Sequence, residues 1–212
     1  MSQDPLTVVC VLRSGGDYGP EYVENLAQQV DENLARAYTF VCYSDMVFDI
    51  PGVVRIPLEH AWPGWWSKME AFRAVGPSLY LDLDTAVLGS LDYTASRIFK
   101  ASAEGETAFW MLRPFRRGER WASGVMAWTG DWSSLYLDFD YQQASTLLWD
   151  QRWISKQVEA GGQEIWPVQE LMLNPVYSYK HHCRKDGPPS DASIVCFHGL
   201  PRPHTIGEPY FA

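Results

Sequence analysis

The protein has 212 residues, of which 46% are hydrophobic and 20% charged, and its formal net charge is -9. This composition supports a sizeable core and argues against wholesale disorder. The acidic balance argues against nucleic acid as a partner, because neutralising a phosphate backbone requires clustered Lys and Arg. No segment approaches the roughly 20 apolar residues that span a bilayer, and the opening residues lack the pattern of a signal peptide. We therefore expect one domain over residues 1–212, located in the cytoplasm, without stable membrane insertion.

The first part of the chain alternates apolar runs with an amphipathic segment. Residues 6–12, 39–45 and 53–58 are rich in β-branched and aromatic residues, which predicts buried strands. From Pro20 the apolar residues recur on one helical stripe, and acidic residues fill the first turn. This order predicts an α/β fold, a single Rossmann-like domain whose mainly parallel central sheet is flanked by helices.

The middle of the chain continues the same pattern. Residues 67–75 predict a short helix, and residues 78–88 begin as a buried strand that leads into two carboxylates. Residues 107–114 and 123–128 predict two further strands, followed by a long amphipathic stretch over 132–160 with a break expected near Asp150.

The C-terminal part, residues 161–212, is rich in Pro and Gly and carries one clear strand at 193–197. Upstream of it, Arg116, Arg117 and Arg120 form a basic loop in this acidic chain. That loop is interpreted as a surface turn, with recognition of an anionic acceptor as the alternative.

Tryptophan is abundant, with ten residues in the chain. Several stand beside Gly, Pro or charged residues, in the runs WPGWW (62–66) and RRGERWASG (116–124). Flat rings in such settings suit a sugar-binding cleft, because the C–H faces of a pyranose stack on them. Packing within the loops themselves is the alternative interpretation.

The strongest chemical signal is the pair of acids Asp82 and Asp84 after the apolar run. If the extended backbone continues, both lie on one face, since side chains alternate along a strand. Open α/β sheets bind ligands in the crevice at the carboxyl ends of their strands. Two neighbouring carboxylates repel each other unless a cation holds them, and a divalent ion would also screen a diphosphate. Solvated acids in a turn are the alternative.

A second enzyme class uses the same pattern. Haloacid dehalogenase-like phosphatases place Asp-x-Asp after a strand, with the first acid, here Asp82, as the nucleophile. Those enzymes prefer Thr or Val where this chain has Ala86, and they carry the motif on the first strand. The phosphatase therefore stays an alternative, as does a catalytically idle sugar- or nucleotide-binding protein.

Residues 67–92 resemble the central motif of the family-8-like retaining glycosyltransferases, such as glycogenin and the bacterial lipopolysaccharide galactosyltransferases. Those proteins have Lys or Arg on a short helix, then a strand, then Asp-x-Asp followed by Thr. Four other segments match in the same order along nearly the whole chain: Asp17–Tyr18, Ser123–Met126, Asp150–Gln151 and Phe197–Pro203.

The resemblance implies a GT-A fold and a metal-dependent transfer of a sugar from a nucleoside-diphosphate sugar, with retention at the anomeric carbon. Uridine diphosphate is the commonest carrier among similar proteins, and guanosine diphosphate stays open. The acceptor is open among a glycan, a lipid-linked sugar, a protein and a small molecule. The C-terminal part is expected to close the donor site.

The resemblance also assigns roles. Asp82, Asp84 and His198 would bind the metal, and this ligand set with two phosphate oxygens suits Mn²⁺ better than Ca²⁺; Mn²⁺ is also expected in preference to Mg²⁺. The expected catalytic residues are Asp150, Gln151 and Lys68. The expected donor-binding residues are Asp17, Tyr18, Lys68, Asp82, Ser123, Gly124, Gly199 and Arg202.

Three positions depart from the family pattern. Arg202 stands where Lys is usual, which still binds phosphate, as a bidentate fork in place of a point charge. His204 stands where Trp is common, and Ser123 where Asn is frequent, which affects the hydrogen bonds expected to the donor sugar.

Overall fold

The computed structural model describes residues 5–115 and 121–211. The predicted basic-loop residues Arg116, Arg117 and Arg120 lie outside these ranges. The strands and helices follow in the order β1 (Leu6–Leu12), α1 (Pro20–Asn33), β2 (Tyr38–Ser44), β3 (Val53–Pro57), β4 (Ser78–Leu81), β5 (Thr85–Val87), α2 (Asp92–Ala103), β6 (Ala108–Leu112), β7 (Ala122–Thr129), α3 (Ser134–Leu137), α4 (Tyr141–Ser145), α5 (Asp150–Ala160), β8 (Ile165–Pro167), β9 (Val176–Ser178), β10 (Ile194–Cys196) and α6 (Pro203–Ile206).

The central sheet has seven strands in the order β3-β2-β1-β4-β7-β6-β8. Within it only β7 runs antiparallel to its neighbours β4 and β6, while the pairs β1–β2, β1–β4, β2–β3 and β6–β8 are parallel. The predicted α/β class with a mainly parallel sheet flanked by helices is therefore confirmed.

Both faces of the sheet are covered by apolar side chains, which explains why the strands are apolar runs with little alternation. On one face, Val8 and Cys10 of β1 pack with Leu26 and Val30 of the predicted α1 stripe. On the other face, Val9 belongs to a separate cluster formed with the aromatic residues after β3 and with α3 and α5. Because both faces are covered, a site can form only at the edge of the sheet where the strands end.

A second, small sheet joins the acidic motif to the C-terminal part. Its order is β5-β10-β9, with β5 antiparallel to β10. The segment 78–88 is therefore two strands in different sheets, and the chain turns between them, where the Thr85 N–H donates to the Asp82 carbonyl at 3.0 Å. The Phe197 N–H donates to the Asp84 carbonyl at 2.9 Å, which places the residues after β10 beside the acids.

Two predicted helical segments differ from the structure. The helix expected over 67–75 is a 3₁₀ segment, Gly64–Arg73, which begins at a glycine with φ of +55°. The amphipathic stretch 132–160 breaks before Asp150 as expected, because Leu148 has φ of +69°, which no α-helix accommodates. It breaks a second time where the Asp140 carboxylate caps α4, so it contains three helices. No helix in the described ranges is long and apolar enough to cross a membrane.

Candidate active site

Two clefts meet at the turn between β4 and β5. The larger, of about 720 Å³, reaches the first residues of β7 and α5, and the smaller, of about 430 Å³, reaches the loop after β1. Because β7 runs antiparallel, its beginning lies at the same sheet edge as the ends of β1 and β4. Both clefts are lined by Trp65, Lys68, Asp82 and Asp84.

A buried polar cluster forms the floor of the larger cleft. The Lys68 ammonium lies 2.8 Å from the Asp150 carboxylate, 3.0 Å from Asp82 and 3.0 Å from the Ser123 hydroxyl. The Ser123 hydroxyl also donates to Asp150 at 2.6 Å. Burial alone would lower the pKa of Lys68, but the Asp150 and Asp82 carboxylates raise it above its ordinary value. The ammonium is therefore charged.

Asp82 is oriented by its neighbours on the sheet. Its carboxylate accepts a hydrogen bond from the Tyr80 hydroxyl at 2.7 Å as well as from Lys68, and its N–H donates to the Gly124 carbonyl at 2.9 Å. A Cβ atom on Gly124 would lie 3.5 Å from an Asp82 carboxylate oxygen. The missing side chain at Gly124 therefore leaves open space beside Asp82.

The surroundings of Asp84 would compensate a negative charge on its carboxyl group only in part. Its carboxylate accepts hydrogen bonds from Tyr18 at 2.9 Å and from Arg202 at 3.3 Å. Burial and the Asp82 carboxylate nevertheless raise the pKa of Asp84 to about 7. A carboxyl group held partly protonated at neutral pH indicates a place where a further cation would be favourable.

Arg202 connects the C-terminal part to the loop after β1. Its guanidinium lies 2.8 Å from Asp17, covers the Tyr18 ring at 4.9 Å and reaches Asp84. Within the described residues, the buried Nε of Arg202 has no hydrogen-bond partner. The structure thus brings Asp17, Tyr18 and Arg202 together at the smaller cleft.

His198 lines the larger cleft, but its imidazole is directed to the second sheet. Its Nε2 lies 2.6 Å from the Ser178 hydroxyl, and its ring stacks on Phe115. Among residues 5–115 and 121–211, no three His, Cys, Asp or Glu side chains are close enough to bind one ion together. Asp82 and Asp84 fit a divalent cation by the chemistry of their carboxylates, and the raised pKa of Asp84 fits it as well; His198 does not join them in this arrangement.

Two other predicted residues have different surroundings. Gln151, in the first turn of α5, lines the larger cleft beside Asp150. Gly199 lines neither of the two clefts; it adopts φ of +89°, and a Cβ atom there would lie 3.0 Å from the Lys180 ammonium. The left-handed backbone explains a glycine at this position.

Three features of the site were not among the residues predicted from the sequence. Tyr80 binds Asp82, and its position two residues earlier on the same strand could have revealed it, since side chains alternate. Thr85 lines the larger cleft with a buried hydroxyl that has no partner in the described residues. Trp149 lines the same cleft from the N-cap of α5, and no sequence pattern predicts that placement.

The fold is shared with solved glycosyltransferases, although the sequence matches no protein-family model and no curated protein. The glycosyltransferase GlyE of Streptococcus pneumoniae TIGR4 aligns over 93% of this chain with a TM-score of 0.59 at 15% identity. This chain spans 56% of the length of that structure, little more than half.

Two structures of LgtC match over more of their own length. The galactosyltransferase LgtC in complex with donor and acceptor sugar analogues aligns over 93% of this chain and 88% of its own, with a TM-score of 0.56 at 11% identity. An active-site mutant of LgtC aligns over 97% and 91%, with a TM-score of 0.58 at 10% identity. The predicted resemblance to glycosyltransferases is therefore confirmed at the level of the fold.

Proposed function

We propose that this protein is a metal-dependent glycosyltransferase that moves a sugar from a nucleoside-diphosphate sugar, with uridine diphosphate as the expected carrier, to an acceptor hydroxyl with retention of configuration. One observation carries the proposal. A cluster of three buried side chains and the partly exposed Asp82 adjoins the carboxyl group of Asp84 at a sheet edge that both clefts reach; the buried members are Lys68, Ser123 and Asp150. Polar groups that are buried, ordered and open to a cleft are typical of a binding site for a charged, hydroxylated ligand.

The diphosphate is assigned to the junction of the two clefts. Lys68 lines both clefts and Arg202 the smaller one, and the Nε of Arg202, which has no partner among the described residues, leaves a donor for a phosphate oxygen. Asp82 and Asp84 would hold the divalent ion, Mn²⁺ in preference to Mg²⁺, and His198 would join them by leaving Ser178. When bound, such an ion screens the negative charge that develops on the leaving diphosphate.

Each of the two clefts is proposed to hold a different part of the donor. The base and ribose are assigned to the smaller cleft, with Asp17, Tyr18 and Asp82, and the sugar to the larger cleft over Ser123 and Gly124. The part of the chain at 161–212 would close over the donor, as the contacts of Arg202 with the loop after β1 suggest.

The transfer breaks one bond at the anomeric carbon of the donor sugar and forms another. The bond from the anomeric carbon to the phosphate oxygen breaks, and its electron pair leaves with the nucleoside diphosphate. An acceptor hydroxyl oxygen bonds to the anomeric carbon, and its proton passes to the departing phosphate. Lys68 stabilises the leaving charge, while Asp150 and Gln151 orient donor hydroxyls or the acceptor.

The test is release of product from a panel of nucleoside-diphosphate sugars with Mn²⁺ and with a chelator. We expect nucleoside diphosphate to appear from one of them, since slow transfer to water needs no known acceptor. Asp84→Asn should slow release about 100-fold, which corresponds to ~2.7 kcal/mol of transition-state stabilisation. The control is Asp186→Asn, an exposed aspartate outside both clefts.

The same assay separates the alternatives. With a phosphate monoester added to the panel, release of inorganic phosphate from it and of no nucleoside diphosphate from any nucleotide sugar would favour the phosphatase with Asp82 as nucleophile. Binding without any turnover would favour the idle scaffold. Turnover that is unchanged in Asp84→Asn would contradict the metal assignment, and an NMR spectrum of an inverted product would contradict retention.

A further inference from the structure

Each acid of the Asp-x-Asp pair is hydrogen-bonded to a tyrosine of its own. The Tyr18 hydroxyl donates to the Asp84 carboxylate at 2.9 Å, and the Tyr80 hydroxyl donates to the Asp82 carboxylate at 2.7 Å. Both tyrosines line the smaller cleft together with the two acids. The direction of each carboxylate is therefore set by a hydroxyl group from this side of the site.

Tyr80 is held in place by the central sheet. It lies on β4 between β1 and β7, where it pairs with Val9 and Met126, and it is only 2% exposed. Because side chains alternate along a strand, Tyr80 lies on the same face as Asp82, two residues later. Its hydroxyl is thus fixed relative to the first acid by the backbone that both residues share.

Tyr18 is held in place from the loop after β1. The loop is attached to Asp45, which accepts a hydrogen bond from the Ser14 N–H at 2.8 Å. The ring of Tyr18 lies 4.6 Å from that of Tyr22 on α1, and the Arg202 guanidinium covers it at 4.9 Å. Contacts from two other segments of the chain therefore fix the hydroxyl that reaches Asp84.

Both hydroxyl groups act as donors. Burial and the neighbouring carboxylates raise the pKa of Tyr18 and of Tyr80 above the ordinary value, so each keeps its proton. Tyr18 and Arg202 contact the same oxygen of Asp84, Oδ2, so the second oxygen can bind another group. This arrangement is typical of carboxylates that ligate a metal ion, whose remaining lone pairs accept hydrogen bonds from a surrounding shell.

We propose that Tyr18 and Tyr80 are positioning residues that orient the carboxylates of Asp84 and Asp82 for the divalent ion. This inference rests on the proposed function and adds to it the residues that prepare its metal site. Neither tyrosine touches the ion itself, so each acts through one acid. Loss of such a hydrogen bond typically lowers metal affinity about 10- to 100-fold.

The test uses Tyr18→Phe and Tyr80→Phe, which remove the hydroxyl group and keep the ring. The signal of free Mn²⁺ in electron paramagnetic resonance measures metal affinity in the presence of the nucleoside diphosphate. We expect each substitution to weaken Mn²⁺ binding about tenfold. Calorimetric titration with the free nucleoside should give the same affinity for Tyr18→Phe as for the wild type, because the ring in the smaller cleft is retained.

Tyr38→Phe is the matched control. The Tyr38 hydroxyl also donates to an aspartate, Asp31, at 3.2 Å, and this pair lies outside both clefts. The control should bind Mn²⁺ as the wild type does.

The outcomes separate this inference from the proposed function. Mn²⁺ affinity that is unchanged in both Tyr18→Phe and Tyr80→Phe, or a loss in Tyr18→Phe that is equal for Mn²⁺ and for the free nucleoside, would overturn the positioning role alone. A wild type that binds the nucleoside diphosphate without Mn²⁺ would overturn the metal assignment and this inference with it. A wild type that binds neither would overturn the proposed function as a whole.

Discussion

The Lys68 ammonium and the Asp150 carboxylate form an ion pair of 2.8 Å between the 3₁₀ segment after β3 and the first residue of α5. Both side chains are buried, with exposed fractions of 7% and 6%. Because the pair is desolvated, its removal on one side leaves an uncompensated charge. The pair thus joins two segments that line the larger cleft.

Replacing Lys68 by Met should therefore destabilise the protein strongly. We expect the free energy of unfolding to fall by about 3–5 kcal/mol, since both Asp150 and Asp82 lose their cation. Chemical denaturation measures this change. Lys100→Met is the matched control, because Lys100 is exposed and its pair with Glu104 spans 3.8 Å; the control should change stability by no more than about 0.5 kcal/mol. Equal effects of the two substitutions would refute the buried network.

The pKa of Asp84, raised to about 7 by burial and by Asp82, predicts a pH-dependent effect of metal. Between that pKa and the ordinary carboxyl value, the folded protein holds a proton that the unfolded chain has released. In the absence of metal, the contribution of Asp84 to the free energy of unfolding therefore increases as the pH falls through about 7. A metal ion must displace the same proton, so its stabilising effect should be larger at pH 8 than at pH 6.

Thermal unfolding with and without Mn²⁺ at the two pH values measures this effect. Asp84→Asn carries no titrating carboxyl group at this position and should lose the pH dependence of the metal effect. A wild-type metal effect that is the same at both pH values would show that Asp84 is not a ligand.

Gly124 offers a substitution that separates folding from function. A methyl group there would lie 3.5 Å from the Asp82 carboxylate, an ordinary contact, so Gly124→Ala should fold with unchanged or slightly higher stability. Sugar transfer should fall, since the methyl group fills the space proposed for the donor sugar. Gly130→Ala is the contrasting variant. Gly130 has φ of +81°, and a Cβ atom there would lie 2.8 Å from the Thr107 hydroxyl, so the substitution should lower the free energy of unfolding by about 1–2 kcal/mol. Full activity in Gly124→Ala would contradict the placement of the sugar.

Arg202 should act on the diphosphate and not on the nucleoside. We expect Arg202→Ala to weaken binding of the nucleoside diphosphate about 10- to 100-fold, the worth of a charge-assisted hydrogen bond. Arg202→Lys should recover part of this loss, since it keeps the charge without the fork. Calorimetric titration with the diphosphate and with the free nucleoside separates the contributions. An equal loss for both ligands would assign Arg202 to the base.

The central features of this fold were accessible from the sequence because their signals are local. The apolar runs before Asp82 and the stripe of α1 are patterns that a short window reveals. The small sheet was not predicted, because each of its strands has three residues and its pairing joins segments far apart in the chain. The same pairing interrupts the extended backbone at Asp82 and Asp84. The chain turns after β4, and β5 pairs with β10 in the small sheet and does not join the central sheet.

The resemblance named candidate site residues, but it did not predict the contacts between them. Lys68, Ser123 and Asp150 were assigned by resemblance, and their mutual hydrogen bonds depend on packing that no local pattern encodes. The metal ligation of Asp82, Asp84 and His198 stays a prediction. Trp149 was not predicted, since its placement depends on the backbone of Leu148.

Thermal unfolding against a panel of nucleoside diphosphates, each with and without Mn²⁺, is the most direct test of the proposed donor site. We predict that one diphosphate raises the melting temperature only when the metal is present, because a ligand at 100 times its dissociation constant contributes about 2.7 kcal/mol to the folded state. Asp84→Asn should abolish that rise. If no diphosphate shifts the melting temperature of the folded wild type under either condition, the protein does not bind a nucleotide-sugar donor at the junction of the two clefts.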